Sequence, residues 1–394
     1  MARLVALQHR DPAAMLRGLD AVWADGDAAL PLDAAAPAAY TERIVAALAP
    51  AEVRTDDGTA HRDDAAPVAD GTALVVTTSG STGTPRGIVL SHDALAASTA
   101  ASRARLGAAD GTPWLGVLPL HHVAGISVVL RSRAAGVEPH LHPRDTRAVV
   151  DGAPPSWISL VPAQLQRLLD AGADLARHAG VLLGGAAASL ALLDRAAGAG
   201  AHVVTSYGAT ETCGGCIYDD EPLDGVQVQV TDAGRIRLRT PTIADGVRRP
   251  DGTVTPVTGE DGWWTTSDLG RIEDGRLTVL GRADDVVVSG GENVPLGPIR
   301  QALADLPSVA ASGVVGLPDD RWGTAVTAVV VPTAGSTPAL TALRDALASL
   351  LPRTHLPTAL VVSDDLPTTA LGKLTPASVL RALDAGSASI VRHG

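Results

Sequence analysis

The only lysine in the 394-residue chain, Lys373, closes the run Leu366-Pro367-Thr368-Thr369-Ala370-Leu371-Gly372-Lys373. Phe is absent, Asn293 is likewise single, and arginine stands wherever a generic positive charge suffices. Lysine is a compact point charge and arginine a wide planar fork, so the two singletons mark positions that a common substitute does not fill. Three other runs carry chemistry-bearing residues. In Thr77-Thr78-Ser79-Gly80-Ser81-Thr82-Gly83-Thr84-Pro85-Arg86-Gly87 the glycines let backbone N–H groups approach an anion. The hydroxyls add short donors for phosphate oxygens, and Arg86 adds charge. No Gly-Lys-Ser/Thr follows, so this is not a Walker loop. In Thr205-Ser206-Tyr207-Gly208-Ala209-Thr210-Glu211-Thr212, Tyr207 offers a flat face for a purine, Thr210 a phosphate donor and Glu211 a hard oxygen ligand for Mg²⁺. In Gly262-Trp263-Trp264-Thr265-Thr266-Ser267-Asp268-Leu269-Gly270, Asp268 has two acceptor oxygens suited to a ribose diol. Gly281-Arg282-Ala283-Asp284-Asp285 and Ser289-Gly290-Gly291-Glu292-Asn293 follow it.

These groups need a scaffold, and the hydrophobic pattern supplies one. Short apolar runs at Ala73–Thr77, Trp114–Leu118, Trp157–Leu160, Gly180–Leu183 and His202–Ser206 alternate with amphipathic stretches at His92–Arg105, Gly125–Ala135, Pro162–Ala171 and Ser189–Ala197. Such alternation predicts an α/β sheet with helices on its faces, whose strand ends collect ligands. From about residue 219 to 283, short strands at Gln227–Val230, Arg235–Arg239 and Arg276–Leu280 predict a small β-rich subdomain. A second α/β pattern then begins: a helix near Leu296–Leu306, strands Val309–Val315 and Ala325–Val331, a helix Pro338–Leu350 and a strand Leu360–Val362. We therefore expect a large layered α/β domain over residues 1–283 and a small α+β domain over 284–394. The first seventy residues are Ala- and Asp-rich and carry no motif.

A net charge of −12 argues against a nucleic-acid footprint and against docking on an anionic membrane. The uncharged run Gly111–Leu130 holds Pro119, His121, His122 and Gly125, which suits buried strand, loop and helix better than a membrane span. No integral membrane association is expected. Two cysteines are too few for a disulfide framework, and no signal peptide is visible, so a cytoplasmic location is expected. Cys213-x-x-Cys216 has no second pair and reads as packing or pocket wall rather than a zinc or redox centre.

The four runs, in this order, resemble the adenylate-forming superfamily of acyl-CoA ligases, luciferases and peptide-synthetase adenylation domains, from about Thr72 to the C-terminus. That resemblance implies an acyl-adenylate made from ATP and a carboxylic acid, with CoA as the second co-substrate. It implies that Ser79 to Gly83 with Thr84 hold the β- and γ-phosphates, and Thr78 and Arg86 flank them. Tyr207 stacks on adenine beside Gly208, and Gly184, Gly185 and Ala186 line the nucleotide and acyl pocket. Thr210 meets the α-phosphate, Glu211 binds Mg²⁺, Asp268 and Arg282 hold the ribose, and Lys373 bridges the carboxylate and α-phosphate. Asp284 is the hinge of a mobile C-terminal domain, and Gly290, Gly291 and Asn293 serve the thiol channel. A homodimer is compatible with the resemblance.

Three features depart from the family pattern. Arg86 replaces the usual lysine, Pro298 and Arg300 stand where acidic residues are usual, and the segment before the phosphate loop is short. The last implies that part of the N-terminal subdomain is missing or reduced. Leu118-Pro119-Leu120-His121-His122-Val123-Ala124-Gly125-Ile126-Ser127, with Arg131 beyond, resembles the acyl-pocket segment of o-succinylbenzoate–CoA ligases of menaquinone synthesis. Ser159-Leu160-Val161-Pro162-Ala163-Gln164-Leu165 and Glu211-Thr212-Cys213-Gly214-Gly215-Cys216-Ile217-Tyr218 resemble them too, in their short actinobacterial form. That acid has two carboxylates, so the pocket needs polar or cationic groups as well as apolar walls; His121, His122 and Arg131 can supply them, with the small Ser189 and Thr212 nearby, and Gly184 and Ser206 are further substrate-side candidates. Other acyl- or aryl-CoA ligases, and an enzyme loading a separate carrier protein, remain as alternative readings.

Overall fold

The computed structural model describes residues 2–79, 85–368 and 374–392, and for Ser79, Pro85, Asp284 and Asn293 the backbone only. Its architecture is mixed α/β. The motif-free start forms the strands Leu4–Gln8, Ala28–Pro31, Glu52–Thr55 and Gly58–His61 and the helices Pro12–Ala24 and Ala38–Leu48. Leu4, Val5, Ala6 and Leu7 are all 0% exposed, as expected for a parallel strand covered on both faces. The four strands join Thr72–Ser79, Pro85–Ser91, Gly246–Arg248 and Val254–Thr255 in an eight-stranded sheet. The short segment that precedes residue 72 supplies half of that sheet.

A second sheet of seven strands has a parallel centre: Trp114–Gly116, Trp157–Leu160, Gly180–Leu183 and Val203–Ala209. Gly214–Tyr218 then returns antiparallel beside Val203–Ala209. The helix Val123–Ala134 presents Ile126 and Val129 to the core of the first sheet and Val128 to a core of the second. A helix buried on opposite sides must be apolar nearly all round, which is why this stretch reads as an uncharged run.

Gln227–Val230, Arg235–Arg239, Trp264–Glu273 and Arg276–Arg282 form the β-rich four-stranded antiparallel sheet. Beyond it, Val286–Ser289 and Glu292–Pro295 make a hairpin. A last sheet combines Val309–Asp319, Gly323–Pro332, Ala359–Ser363 and Ala388–Arg392. It packs its own core, in which Ile299, Leu303, Val326, Val330, Leu343 and Leu347 meet. The helix expected over Pro338–Leu350 is shorter, Leu340–Leu347, and the strand expected over Trp114–Leu118 stops at Gly116. Among the described residues no helix is long and apolar enough to cross a membrane.

Candidate active site

The parallel strands of the seven-stranded sheet end on one edge, and the loops leaving that edge carry the residues singled out in the sequence. Leu183 pairs with Thr205, which sets Gly184 beside Ser206; a Cβ on Gly184 would lie 3.3 Å from the Ser206 carbonyl oxygen. Gly185 has φ +79, and it and Ala186 are exposed. At Gly208 a Cβ would stand 2.1 Å from the Gly214 carbonyl oxygen, so only glycine lets the chain double back there.

The turn that follows, Thr210–Thr212, is built by Thr212. Its hydroxyl accepts from Ala209 N–H at 2.9 Å and lies 2.7 Å from Gly214 O, and the residue is 0% exposed. Thr212 therefore shapes the turn from beneath. What the turn presents is Thr210 and Glu211, both half-buried. Ala244 N–H donates to Glu211 O at 2.8 Å, and Asp245 N–H donates to Val89 O at 3.0 Å. These bonds bring the turn against Pro85–Ser91, where Arg86 pairs with Thr78 across the hairpin.

The β-rich sheet closes the other side. Tyr207 Oη donates to Asp268 Oδ2 at 2.7 Å, and Asp268 N–H donates to Thr266 Oγ1 at 2.9 Å. Asp268 and Arg282 face each other across paired strands. Burial, and then the Asp268 charge and hydrogen bond, push the Tyr207 phenol above its ordinary pKa. Burial likewise raises the Glu211 carboxyl, opposed by the nearby positive charges of Arg86 and Arg282 and reinforced by Asp268. Thus Tyr207, Glu211, Asp268, Arg282 and Arg86 converge from three sheets. Gly80 to Thr84 and Lys373 lie outside the described residues.

On the acyl side, Gly214 and Gly215 pass close to Ser127 and Ser206; a Cβ on each would lie 3.6 Å from Ser127 Oγ and 2.0 Å from Ser206 Oγ. Arg131 is 3% exposed, with its guanidinium 5.0 Å over the Trp114 ring. The His121 and His122 rings stand 4.3 Å apart. Desolvation and then the His122 charge lower the His121 pKa to about 4; partial desolvation also lowers that of His122, which is itself exposed. A cavity of about 300 Å³ lies beside Leu118 to His121. A larger groove of about 870 Å³ follows helix Pro12–Ala24 and the edge strand His140–Leu141, away from Tyr207 and Asp268. Cys213 and Cys216 are 0% exposed, and burial pushes both thiols up to about 12; they are packing residues.

Gly290 and Gly291, with φ +59 and +86, form a two-residue turn between the paired Ser289 and Glu292, a geometry that disfavours side chains at both positions. Arg300, where the family pattern is acidic, reaches Asp285 at 2.9 Å. The helix Leu296–Ala304 and the residue after it touch the loop beyond Ala186. Gln301 Nε2 donates to Ala188 O at 3.3 Å, and Asp305 Oδ1 accepts from Ala191 N–H at 3.1 Å. Asp305 and Tyr218 go unmarked by sequence reasoning. Their contacts, to Ala191 and Arg131, span 114 and 87 residues, and their residue types signal nothing alone.

A family model described as AMP-binding enzyme matches residues 5–248, and one described as AMP-binding enzyme C-terminal domain matches residues 299–373. A protein from Mycobacterium tuberculosis named probable 2-succinylbenzoate–CoA ligase is 42% identical over 329 residues, covering 79% of this chain and 85% of that one. A 2-succinylbenzoate–CoA ligase from Listeria monocytogenes is 32% identical over 321 residues, 77% of this chain and 68% of that one. Among solved structures, an E. coli MenE variant with bound OSB-AMS superposes with a TM-score of 0.79 at 25% identity, covering 92% of this chain and 84% of that one. ATP-bound MatB from Rhodopseudomonas palustris shares the fold, with a TM-score of 0.82 at 24% identity over 97% of this chain and 89% of its own. With the nucleotide-site motifs converging as they do, and both parts of the chain matched, this protein belongs to the AMP-binding enzyme family.

Proposed function

We propose that this chain is an o-succinylbenzoate–CoA ligase of menaquinone synthesis, using ATP to form the acyl-adenylate and then passing the acyl group to CoA. The observation that carries the reading is the 42% identity to a protein of that name over 79% of the chain. The convergence of Tyr207, Asp268, Arg282 and Glu211 supports it.

In the first half-reaction an oxygen of the acid attacks the α-phosphorus and pyrophosphate leaves. The adenosine sits against Tyr207 with its ribose on Asp268 and Arg282, while the hydroxyl-rich loop Thr78 to Thr84 and Arg86 hold the β- and γ-phosphates. Thr210 meets the α-phosphate. Lys373 bridges the two anions, and one positive charge there offsets about 4 kcal/mol of repulsion at an effective dielectric near 20. Glu211 fits a divalent cation: it is a hard carboxylate whose ionisation burial opposes, so a positive ion stabilises its charged form. Mg²⁺ held there supplies counter-charge to the phosphates. In the second half-reaction the CoA sulfur attacks the acyl carbon and AMP leaves with the electron pair. The small domain turns about Asp284, withdrawing Lys373 and presenting Gly290, Gly291 and Asn293 to the thiol. The acid lies along Gly184, Ser206 and the His122 end of helix Val123–Ala134, with Arg131 supplying positive charge for its second carboxylate.

The test mixes the protein with ATP, Mg²⁺, CoA and a panel of acids and reads AMP release. Turnover with o-succinylbenzoate is expected. Turnover with a fatty or simple aryl acid, and none with o-succinylbenzoate, overturns the substrate.

A further inference from the structure

We infer that Tyr218 is a positioning residue for the acid, its phenol fixing the Arg131 guanidinium at the floor of the acyl pocket; this rests on the proposed facing of Arg131 to the second carboxylate. Ser127 Oγ is close to Gly214, and Arg131 stands one turn further along the same face of the helix. Among the described residues no carboxylate lies within ion-pair distance of Arg131. Among the described residues its guanidinium makes one hydrogen bond, from Nη2 to Tyr218 Oη at 3.3 Å, and its Nε has no partner. A guanidinium is a donor only, so Tyr218 Oη accepts from it. A second hydrogen bond, at 2.8 Å, ties Tyr218 Oη to Ser102 Oγ.

Ser102 is 0% and Tyr218 1% exposed, so water does not compete for these bonds. The Tyr218 ring also sits 2.9 Å, at Cε1, from where a Gly215 Cβ would stand, a point 2.0 Å from Ser206 Oγ. One side chain therefore sets both the aim of the cation and the spacing of the pocket wall. A buried guanidinium whose Nε has no partner is costly to keep, and an arriving carboxylate supplies the acceptor.

Tyr218→Phe keeps the ring and removes the oxygen. The expected result is a KM for o-succinylbenzoate about tenfold higher, with kcat and the KM for ATP within about twofold of wild type. Ser102→Ala should move the same parameter less. In an Arg131→Ala background, Tyr218→Phe should add nothing. An unchanged KM for the acid, or an equal rise in both backgrounds, overturns the role of Tyr218. If Arg131→Ala itself leaves the KM for the acid unchanged, the placement of Arg131 fails instead, and the inference with it. Should Arg131→Ala not fold, Arg131→Lys provides the second background.

Discussion

The Tyr207 hydroxyl donates to Asp268 at 2.7 Å, joining a ring at the end of one sheet to a carboxylate on another. The pair sets the ring plane and aims the carboxylate at once. Tyr207→Phe removes a hydrogen bond to a charged acceptor, a change of about 1.5–3 kcal/mol where the group is shielded. The KM for ATP should rise about tenfold with the KM for the acid little changed, as read from initial rates at saturating acid. Asp268→Ala should be worse, and no effect of either variant would remove the pair from the nucleotide site.

Lys373→Ala should abolish adenylate formation yet still pass a supplied acyl-adenylate to CoA. Pyrophosphate release measures the first step and thioester formation the second. Equal loss of both in a folded variant would contradict the division of labour.

Glu211 should give ATP binding a pH dependence. Its carboxyl is raised above the ordinary range by burial, so protons compete with the metal ion at a higher pH than for an exposed glutamate. The KM for Mg-ATP should climb as pH falls through that raised value and level off above it. Glu211→Gln should be flat across the same interval and weak throughout.

The His121–His122 pair should make the fold acid-sensitive. The folded-state pKa of His121 falls from 6.5 to about 4, so between those values the unfolded chain binds more protons and stability rises with pH. Stability should therefore be lost as pH drops from about 6.5 towards about 4. The loss assignable to this ring is about 1 kcal/mol once its partial exposure is allowed for. Melting curves of the wild type and His121→Gln across that range provide the check; identical slopes would refute the assignment.

That Tyr207, Glu211 and Asp268 come together is legible in sequence because their residue types, in turns and strand ends, state a shared chemistry. Thr212 shows the limit of that reasoning. Its residue type does not announce that its burial and its bonds to Ala209 and Gly214 build the turn. Arg131 and Tyr218 lie 87 residues apart, and nothing local announces that they meet. The strands before residue 62 are equally silent, since their short apolar runs acquire meaning only from sheet partners. The β-rich strands, by contrast, announce themselves through Asp-Gly and Ala-Gly turns.

The contacts from Gln301 and Asp305 to the backbone at Ala188 and Ala191 have a mechanical consequence. Each joins a polar side chain, exposed Gln301 or half-buried Asp305, to a main-chain group that water serves nearly as well. Such a joint can part and re-form many times, because undocking replaces its bonds with bonds to solvent. In the proposed cycle, where the small domain turns once per turnover, such a contact acts as a clasp rather than a weld.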